Sequence, residues 1–254
     1  MISRNELKYY SSLSQKKFRE SELKFLVEGL KNVEEGLNSH FNCEIILVTF
    51  EFAEQHKNIF NHAKKKKIRI EIIRSQDFIR ISETKSPQGI AAVFNYAKLN
   101  FYPDKTESNI LVYLDNISDP GNLGTIIRTC DWFGINEILI SKYSVDYLNP
   151  KAIRASMGSI FHLYIFEELD TEVLIDLQNR NYKIICSDLD GKNIFEYRFP
   201  EKIVLAFSNE AAGPSEAVKK IADDVITIPR IGNAESLNVA IASGIILSKA
   251  LTNR

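Results

Sequence analysis

Apolar residues occur in short runs separated by amphipathic stretches along most of this 254-residue chain. From residue 110 onward the runs have the length of buried strands, and the stretches between them have the 3.6-residue period of helices. The strand-like runs are ILVYLD, EILIS, YKIICSDL, KIVLAFSN and DVITIP. The helical stretches include GNLGTIIRTCDWFG, NPKAIRASMGSIF, EVLIDLQNR, SEAVKKIA and SLNVAIASGIILSKAL. This alternation predicts an α/β fold with a mainly parallel sheet covered on both faces.

The first hundred residues predict a smaller α/β unit. Residues 14–38 carry apolar side chains at helical spacing and predict one helix, whose apolar stripe consists of Phe18, Leu23, Leu26, Val27 and Leu30. Further predicted elements are strands at residues 43–50, 67–73 and 89–97, a helix at residues 51–66 and a short helical piece after it. Residues 98–109 contain Pro, Asp, Ser and Asn with little apolar periodicity, which is typical of a linker. We therefore predict two domains, at residues 1–104 and 105–254.

Composition is that of a globular protein from a reducing compartment. The apolar and charged fractions, 44% and 26%, are ordinary for such proteins. No apolar run approaches the roughly 20 residues of a membrane span, and the first residues lack the apolar core of a signal peptide. The three cysteines are far apart and the four histidines are scattered, so we expect neither a disulfide framework nor a metal site. We expect a cytoplasmic protein without membrane contact.

Charge is unevenly distributed although the net charge is only −1. Residues 1–100 hold 17 Lys and Arg against 12 Asp and Glu, whereas the rest of the chain holds 15 against 21. A basic front half favours contact with a polyanion such as nucleic acid, and ordinary solvated surface is the alternative. The densest basic segment is the run Lys64, Lys65, Lys66 and Lys67, at the end of a predicted helix where the dipole also favours cations.

The loops that follow strands are the candidate site, because parallel sheets bind ligands at the carboxyl ends of their strands. The loop after ILVYLD precedes a helix that begins near Asn122 and contains Arg128. Its glycines permit close backbone approach, and a helix N-terminus offers N–H groups to an anion. Alternatively, Asn122 caps this helix and Arg128 forms a surface salt bridge.

Two later loops carry polar side chains among small residues. After KIVLAF come Ser208, Asn209 and Glu210. The last loop ends at Ser236, which is suited to cap the final helix. Asn238 would then lie inside that helix, where asparagine is unfavourable unless its side chain has a partner.

Together these loops resemble the SpoU/TrmH branch of the SPOUT RNA methyltransferases. DPGNLGTIIRT is similar to the first motif of that family, LAFSNEAAGPS to the second, and IPRIGNAESLNVAIASGIIL to the third. NPKAIRASMGSIF resembles the Arg-Ala-Ser-x-Gly stretch between them. The resemblance covers residues 110–254 in the family's order. The front half resembles the substrate-binding domain often fused to it, with ETKSPQGIAAVF typical of the junction.

The resemblance implies a cofactor, a reaction and a set of site residues. The second and third motifs would form loops of a deep trefoil knot that binds S-adenosylmethionine. The cofactor-binding positions by similarity are Phe207, Ser208, Asn209, Gly213, Ile228 and Leu237. The catalytic positions by similarity are Asn122, Arg128, Glu210, Ser236 and Asn238, with a ribose 2′-hydroxyl as methyl acceptor. Because arginine stays protonated in proteins, we favour phosphate binding and alkoxide stabilisation over a role as base for the arginine.

Some positions depart from the family pattern. Ser208 stands where glycine is usual, and Ala211 and Ala212 replace part of a glycine-rich string. These side chains are small, so we expect a slightly narrowed pocket. Arg230 follows Ile-Pro where methionine is common, and it would contact either RNA or a surface carboxylate.

The resemblance also implies partners. Family members act on ribosomal or transfer RNA, and a separate N-terminal module favours ribosomal RNA. They pair through the knotted region, and the last helix here is apolar around most of its circumference, so we expect a homodimer. An inactive RNA-binding protein of the same fold is the alternative. A Rossmann-type enzyme would need a GxGxxG turn after its first strand, where only Gly121 and Gly124 occur.

Overall fold

The computed structural model of the chain describes residues 2–209 and 212–252, apart from the side chain of His62. Within these residues the chain groups into two compact units. The first extends to Ala97 and also includes Leu148–Phe161, and the second comprises Lys98–Tyr147 and the chain from His162 onward. The second unit thus begins at the first residue of the predicted linker. The domain bounds 1–104 and 105–254 stay a prediction.

The first unit is built on a four-stranded sheet in the order β1-β4-β2-β3. Its strands are β1 (Lys24–Glu28), β2 (Asn42–Thr49), β3 (Arg69–Ile73) and β4 (Ile90–Asn95). Its helices before residue 98 are α1 (Arg4–Ser12), α2 (Lys16–Glu22), α3 (Leu30–Asn38), α4 (Phe50–Gln55), α5 (Lys57–Lys65) and α6 (Ser75–Ile79). β2 and β3 are parallel, whereas β4 is antiparallel to both β1 and β2. The carboxyl ends of β1, β2 and β3 therefore share one edge of the sheet with the amino end of β4.

The single helix predicted for residues 14–38 is wrong, because a strand interrupts it. β1 lies between α2 and α3 and pairs with β4 along its whole length. Leu23 (φ 51°) ends α2 in the left-handed region, and Gly29 (φ 91°) turns the chain into α3. Residues 25–27 are all buried, so this segment is apolar on both faces. A short run of this kind satisfies a helical period and a buried strand equally well, and the distant pairing partner decides between them.

The helix predicted for residues 51–66 is also divided, because His56 leaves the helical conformation between α4 and α5.

One face of the small sheet is covered by aromatic rings. The ring of Phe25 lies 5.9 Å from that of Phe94 and 6.2 Å from that of Phe161. These contacts explain why the segment that contains Phe161 belongs to the first unit.

The second unit is a six-stranded sheet in the order β10-β8-β9-β5-β6-β7, and all its neighbouring strands are parallel. Its strands are β5 (Ile110–Asp115), β6 (Glu137–Ser141), β7 (Tyr164–Leu169), β8 (Lys183–Asn193), β9 (Ile203–Ser208) and β10 (Asp224–Thr227). Its helices are α7 (Pro120–Trp132), α9 (Glu172–Gln178), α10 (Glu216–Ile221) and α11 (Val239–Thr252), while α8 (Pro150–Ser156) belongs to the first unit. The predicted parallel α/β sheet is confirmed.

Burial follows the position of each strand in this sheet. The central strands β5 and β9 are buried along their whole length, as parallel strands covered on both faces should be. β7 lies at the edge, and its sequence mixes buried with exposed positions, which explains why no apolar run predicts it. Among the described residues, no helix has the length and apolarity that crossing a bilayer requires. The trefoil knot stays a prediction.

Candidate active site

The strand order produces a reversal beside β5. The chain runs from β5 to β6 and β7 on one side, whereas β9, β8 and β10 lie on the other side. In open parallel sheets such a reversal leaves a crevice at the carboxyl ends of the strands. β5 and β9 end in register, with Asp115 opposite Ser208. The three loops singled out from the sequence therefore open at the same edge of the sheet.

Asp115 is a buried carboxylate that ties two of these loops together. It is 2% exposed, and its Oδ2 accepts hydrogen bonds from Ser208 Oγ at 3.2 Å and from the Ser215 main-chain N–H at 2.8 Å. Ser215 in turn caps α10 by accepting from Val218 N at 3.3 Å. The serine that replaces the family's glycine at position 208 thus has a defined partner. The sequence analysis missed Asp115, whose only local signal is a carboxylate at the end of a buried strand.

Helix α11 begins two residues later than the sequence indicates. The helix begins at Val239, and Asn238 is its cap, because Asn238 Oδ1 accepts from the N–H groups of Ala240 at 3.0 Å and Ile241 at 3.4 Å. The prediction that Ser236 caps this helix is wrong. Asn238 is not inside the helix either, so its presence needs no further compensation there.

Asn238 also joins the first and third motifs. Its Nδ2 donates to Asn122 Oδ1 at 2.9 Å, across 116 residues of sequence. Asn122 does not cap α7, since Asp119 is the N-cap and accepts from Asn122 N at 2.9 Å. The amide of Asn122 is thereby directed to the beginning of α11 instead of its own helix.

A cleft of about 430 Å³ opens beside these loops, and all its lining residues belong to the second unit. Seven of the predicted site residues line it, namely Ser208, Asn209, Gly213, Ile228, Arg230, Ser236 and Leu237. Gly213 has a φ of 67°, and its N–H donates to the Asn209 carbonyl at 2.8 Å, so the loop after β9 folds back on itself. Asn209 Nδ2 donates to Ser118 Oγ at 2.9 Å, which connects this loop to the one after β5.

Other predicted residues lie away from the cleft lining. Phe207 is 1% exposed and packs within the core beneath it. Arg128 is exposed on α7 and has no hydrogen bond or ion pair with any described residue, so no salt bridge of that kind occupies it. Glu210 lies outside the described residues, as does Ala211.

The predicted RNA-binding residues are exposed. Arg230 Nη1 donates to the Ala234 carbonyl at 3.4 Å, within the loop that borders the cleft. Lys64 and Lys65 end α5 in the first unit, and Lys66 and Lys67 follow it. Lys66 Nζ donates to the carbonyl of Leu37.

Three charged residues of the cleft, namely Asp188, Lys219 and Glu235, were missed by the sequence analysis. Asp188 lies on the long strand β8 and Lys219 on α10, and their Oδ2 and Nζ atoms are 3.3 Å apart at the cleft wall. Leu189 also lines the cleft and is 63% exposed. The sequence analysis overlooked Asp188 and Lys219 because it considered only the loops after strands, whereas Asp188 lies within the predicted strand YKIICSDL and Lys219 within the predicted helix SEAVKKIA.

None of the cysteines is suited to act as a nucleophile. Burial raises the pKa of the Cys43 thiol to about 12 and that of the Cys186 thiol to about 11, and it raises the pKa of Cys130 as well. All three thiols therefore stay protonated near neutral pH.

The chain is similar to known proteins over nearly its whole length. It is 31% identical over 243 residues to a 23S rRNA (guanosine(2553)-2′-O)-methyltransferase from Bacillus subtilis (strain 168), covering 95% of this chain and 94% of the relative. The structure of an AdoMet-bound rRNA methyltransferase from Sinorhizobium meliloti superposes with a TM-score of 0.85 at 28% identity, over 98% of this chain and 95% of that one. The AdoMet complex of the SpoU methyltransferase AviRb from Streptomyces viridochromogenes, at 23% identity, shares the fold with a TM-score of 0.86 over 99% and 100% of the two chains.

Family models match both parts of the sequence. Residues 4–92 match the MRM3-like substrate binding domain, and residues 109–248 match the SpoU rRNA Methylase family. The second match covers the sheet, the cleft and all three motifs. The chain belongs to the SpoU rRNA methylase family.

Proposed function

We propose that this chain transfers a methyl group from S-adenosylmethionine to a ribose 2′-hydroxyl of ribosomal RNA. The observation that carries the proposal is the Asn238–Asn122 hydrogen bond. Asn238 lies between Leu237 and Val239, which both line the cleft, so this bond connects the first motif to the cleft formed by the other two. The relatives support the reaction, since one is named as a 2′-O-methyltransferase of 23S rRNA and another was crystallised with AdoMet.

The cleft fits the cofactor in size and chemistry. Its volume of about 430 Å³ lies within the roughly 300–1,000 Å³ of small-molecule sites. Ile228, Leu237 and Leu189 provide apolar surface for a flat ring, and Gly213 lets the backbone approach closely. The main chain around Ser208 and Asn209 would hold the remaining polar groups, while buried Phe207 supports the strand end from below.

The bound cofactor supplies a methyl group on a sulfonium, whose sulfur leaves without charge and so needs no acid. The chain must therefore position the acceptor hydroxyl and stabilise the alkoxide that forms on it. Positioning two reactants contributes about 7–11 kcal/mol to lowering a barrier. Asn122, Asn238, Ser236 and Glu210 are the residues that we assign to orient the ribose.

Arg128 is assigned to the phosphate next to the reacting ribose. Its guanidinium is exposed and has no partner among the described residues, so its planar fork is available to a phosphate or an alkoxide. It is carried by the same helix as Asn122, whose amide is bonded to the third motif.

A homodimer is proposed as the working unit. α11 leaves apolar surface uncovered, with Ile241 57% exposed and Ala242, Gly244 and Ile245 only partly covered. A second copy on this surface would bury it and would place the partner's residues beside the cleft, since Ala242 and Ile246 line the cleft from the same helix.

Ribosomal RNA is proposed over transfer RNA for two reasons. The front unit matches a substrate binding domain, and a relative that matches 95% of this chain is named for 23S rRNA. Arg230 and the lysine run would contact its phosphates. Such a substrate also agrees with the predicted cytoplasmic location.

The test compares ribose methylation of all cellular RNA with and without this gene. Loss of one 2′-O-methyl group from ribosomal RNA, restored by the wild-type gene, is expected. If cells that lack the gene grow slowly, and the wild-type gene restores growth without restoring any methyl group, the result would favour the alternative, an RNA-binding protein without activity.

A further inference from the structure

We propose that Phe50, Arg74 and Arg80 form a second RNA-binding surface on the first unit, where the ring of Phe50 stacks on an unpaired base and the arginines bind the adjoining phosphate. We call these residues and the groove beside them the Phe50 edge. The inference rests on the proposed RNA substrate. It adds a surface that the basic run in the sequence does not indicate.

The sheet register brings Phe50 and Arg74 together. β2 and β3 are parallel and end with Thr49 opposite Ile73, so the residues that follow them are neighbours at the same edge. Thr49 caps α4 by accepting from Phe52 N at 3.2 Å. The lysine run precedes the amino end of β3 and therefore lies at the opposite edge of the sheet.

The ring of Phe50 and both arginine side chains are open to solvent. Phe50 is 62% exposed, although a large aromatic side chain normally gains stability by burial. The side chain of Arg74 is 80% exposed and that of Arg80 68% exposed. Exposed aromatic rings beside guanidinium groups are the combination that binds single-stranded RNA, by stacking and by phosphate contact.

One carboxylate orients the two arginines. Asp77 is buried, and it accepts from Arg74 Nε at 2.8 Å and from Arg80 Nη1 at 3.4 Å. Asp77 and the two arginines together carry one net positive charge, and the Glu51 carboxylate lines the groove beside them. Both Nη groups of Arg74 remain without a partner among the described residues, so they can bind a phosphate through two parallel hydrogen bonds.

A groove of about 270 Å³ is lined by Thr49, Glu51 and Ser75, the chain neighbours of Phe50 and Arg74. Its apolar lining residues are Phe52, Phe78, Ile79 and Pro87, and its polar ones include Glu51, Ser75 and Gln88. The groove is smaller than the roughly 300–1,000 Å³ of small-molecule sites, which favours one unstacked base over a whole cofactor. Glu51 accepts from Ser75 Oγ at 3.0 Å. Its carboxylate would accept a hydrogen bond from the amino group of a base, and its negative charge would direct the phosphate towards the arginines.

The occupant is RNA rather than a protein segment because of what surrounds the groove. The whole surface lies within residues 4–92, which match a substrate binding domain. Phe50 and Arg74 follow adjacent strand ends. The ring of Phe50 suits a base, and the guanidinium of Arg74 suits the phosphate next to that base in the same RNA chain.

The experiment uses the full chain and total RNA from cells that lack its gene. Phe50→Ala and Phe50→Leu should weaken RNA binding about 5- to 150-fold, as expected for loss of one stacked base at about 1–3 kcal/mol. Phe50→Tyr should retain binding. Arg74→Gln should lower the slope of log affinity against log salt by about one, because one phosphate contact is lost.

Phe195→Ala is the matched control, since Phe195 is the same residue type, 57% exposed, in the second unit. Melting temperature and cofactor affinity should stay at wild-type values in every variant. RNA binding by Phe50→Ala and Phe50→Leu within twofold of wild type, or an equal loss in Phe195→Ala, would overturn this inference alone. Failure of the wild-type chain to methylate that RNA would instead overturn the proposed function.

Discussion

Single side chains connect parts of the candidate site that are far apart in sequence, through hydrogen bonds. Asp115 accepts from Ser208 and from the backbone of Ser215, which lies 100 residues later. A buried carboxylate costs stability unless its oxygens are hydrogen-bonded, and both contacts meet that need. Ser208 is therefore accommodated, because its hydroxyl binds Asp115 within the structure.

Arg128 is expected to serve the reaction and not the fold. Arg128 has no hydrogen bond or ion pair with a described residue, and exposed ion pairs contribute only about 0–1 kcal/mol in any case. Arg128→Ala should therefore melt like wild type while methyl transfer falls about 10²–10³-fold, as for loss of a group that stabilises an oxyanion. Arg128→Lys should restore little, because it lacks the planar fork.

The measurement is methyl transfer to RNA, with cofactor affinity and melting temperature determined on the same samples. Arg180→Ala, which removes another exposed arginine of the second unit, is the control. Full turnover by Arg128→Ala would exclude it from the site. Recovery by lysine would leave it as a phosphate anchor.

At the scale of elements, a single residue at the beginning of α11, Asn238, makes two different kinds of hydrogen bond. Asn238 caps the helix through Oδ1 and binds Asn122 through Nδ2. The cap stabilises α11, and the second bond holds α7 against it. Helix start and site geometry are therefore coupled.

The two tasks can be separated by substitution. Asn238→Ala should lower the free energy of unfolding by about 0.5–2 kcal/mol, because it removes a cap, whereas Asn122→Ala should lower it less. Both should reduce methyl transfer to a similar extent. The double variant should be no slower than Asn238→Ala, because the pair acts as one unit.

Ser3→Ala controls for the loss of a cap as such. Ser3 caps α1 in the first unit, so its removal should lower stability without slowing methyl transfer. Additive rate losses in the double variant would show that the Asn122–Asn238 bond has no role in the reaction.

At the scale of the whole molecule, the exposed apolar surface of α11 should be covered by a second copy. Ile241→Glu places a charge on that surface and should produce a monomer with reduced methyl transfer, measured by light scattering and turnover. Ile175→Glu, at a 44% exposed isoleucine of α9, should leave the dimer intact. A fully active wild-type monomer would rule out the dimer.

The segment Leu148–Phe161 belongs to the first unit, although in sequence it lies between two parts of the second unit. A fragment that begins at Lys98 keeps every residue of the cleft lining and should bind S-adenosylmethionine. It loses the rings that cover Phe161, and exposing such a side chain costs about 1.5–3 kcal/mol. We therefore expect the fragment to melt earlier than the full chain and to bind an apolar dye, as followed by calorimetry and fluorescence. Unchanged melting would mean that this segment folds without the first unit.

Local patterns determined much of this protein. The apolar runs from residue 110 onward predict five of the six strands of the second unit, and burial on both faces is complete in β5 and β9. The second and third motifs contain most of the residues that line the cleft, whereas the loop after β5 contributes none of them.

Only the tertiary structure decided features that depend on a distant partner. β1 is a strand because β4 pairs with it, and Leu148–Phe161 belongs to the first unit because the rings of Phe25 and Phe94 cover Phe161. Asn238 begins α11 as its cap and binds Asn122 only because two helices 116 residues apart meet at one sheet edge. Periodicity reports how strongly a residue is buried, but it contains no information about which hydrogen-bonding group or ring lies opposite. That choice is made when the elements pack.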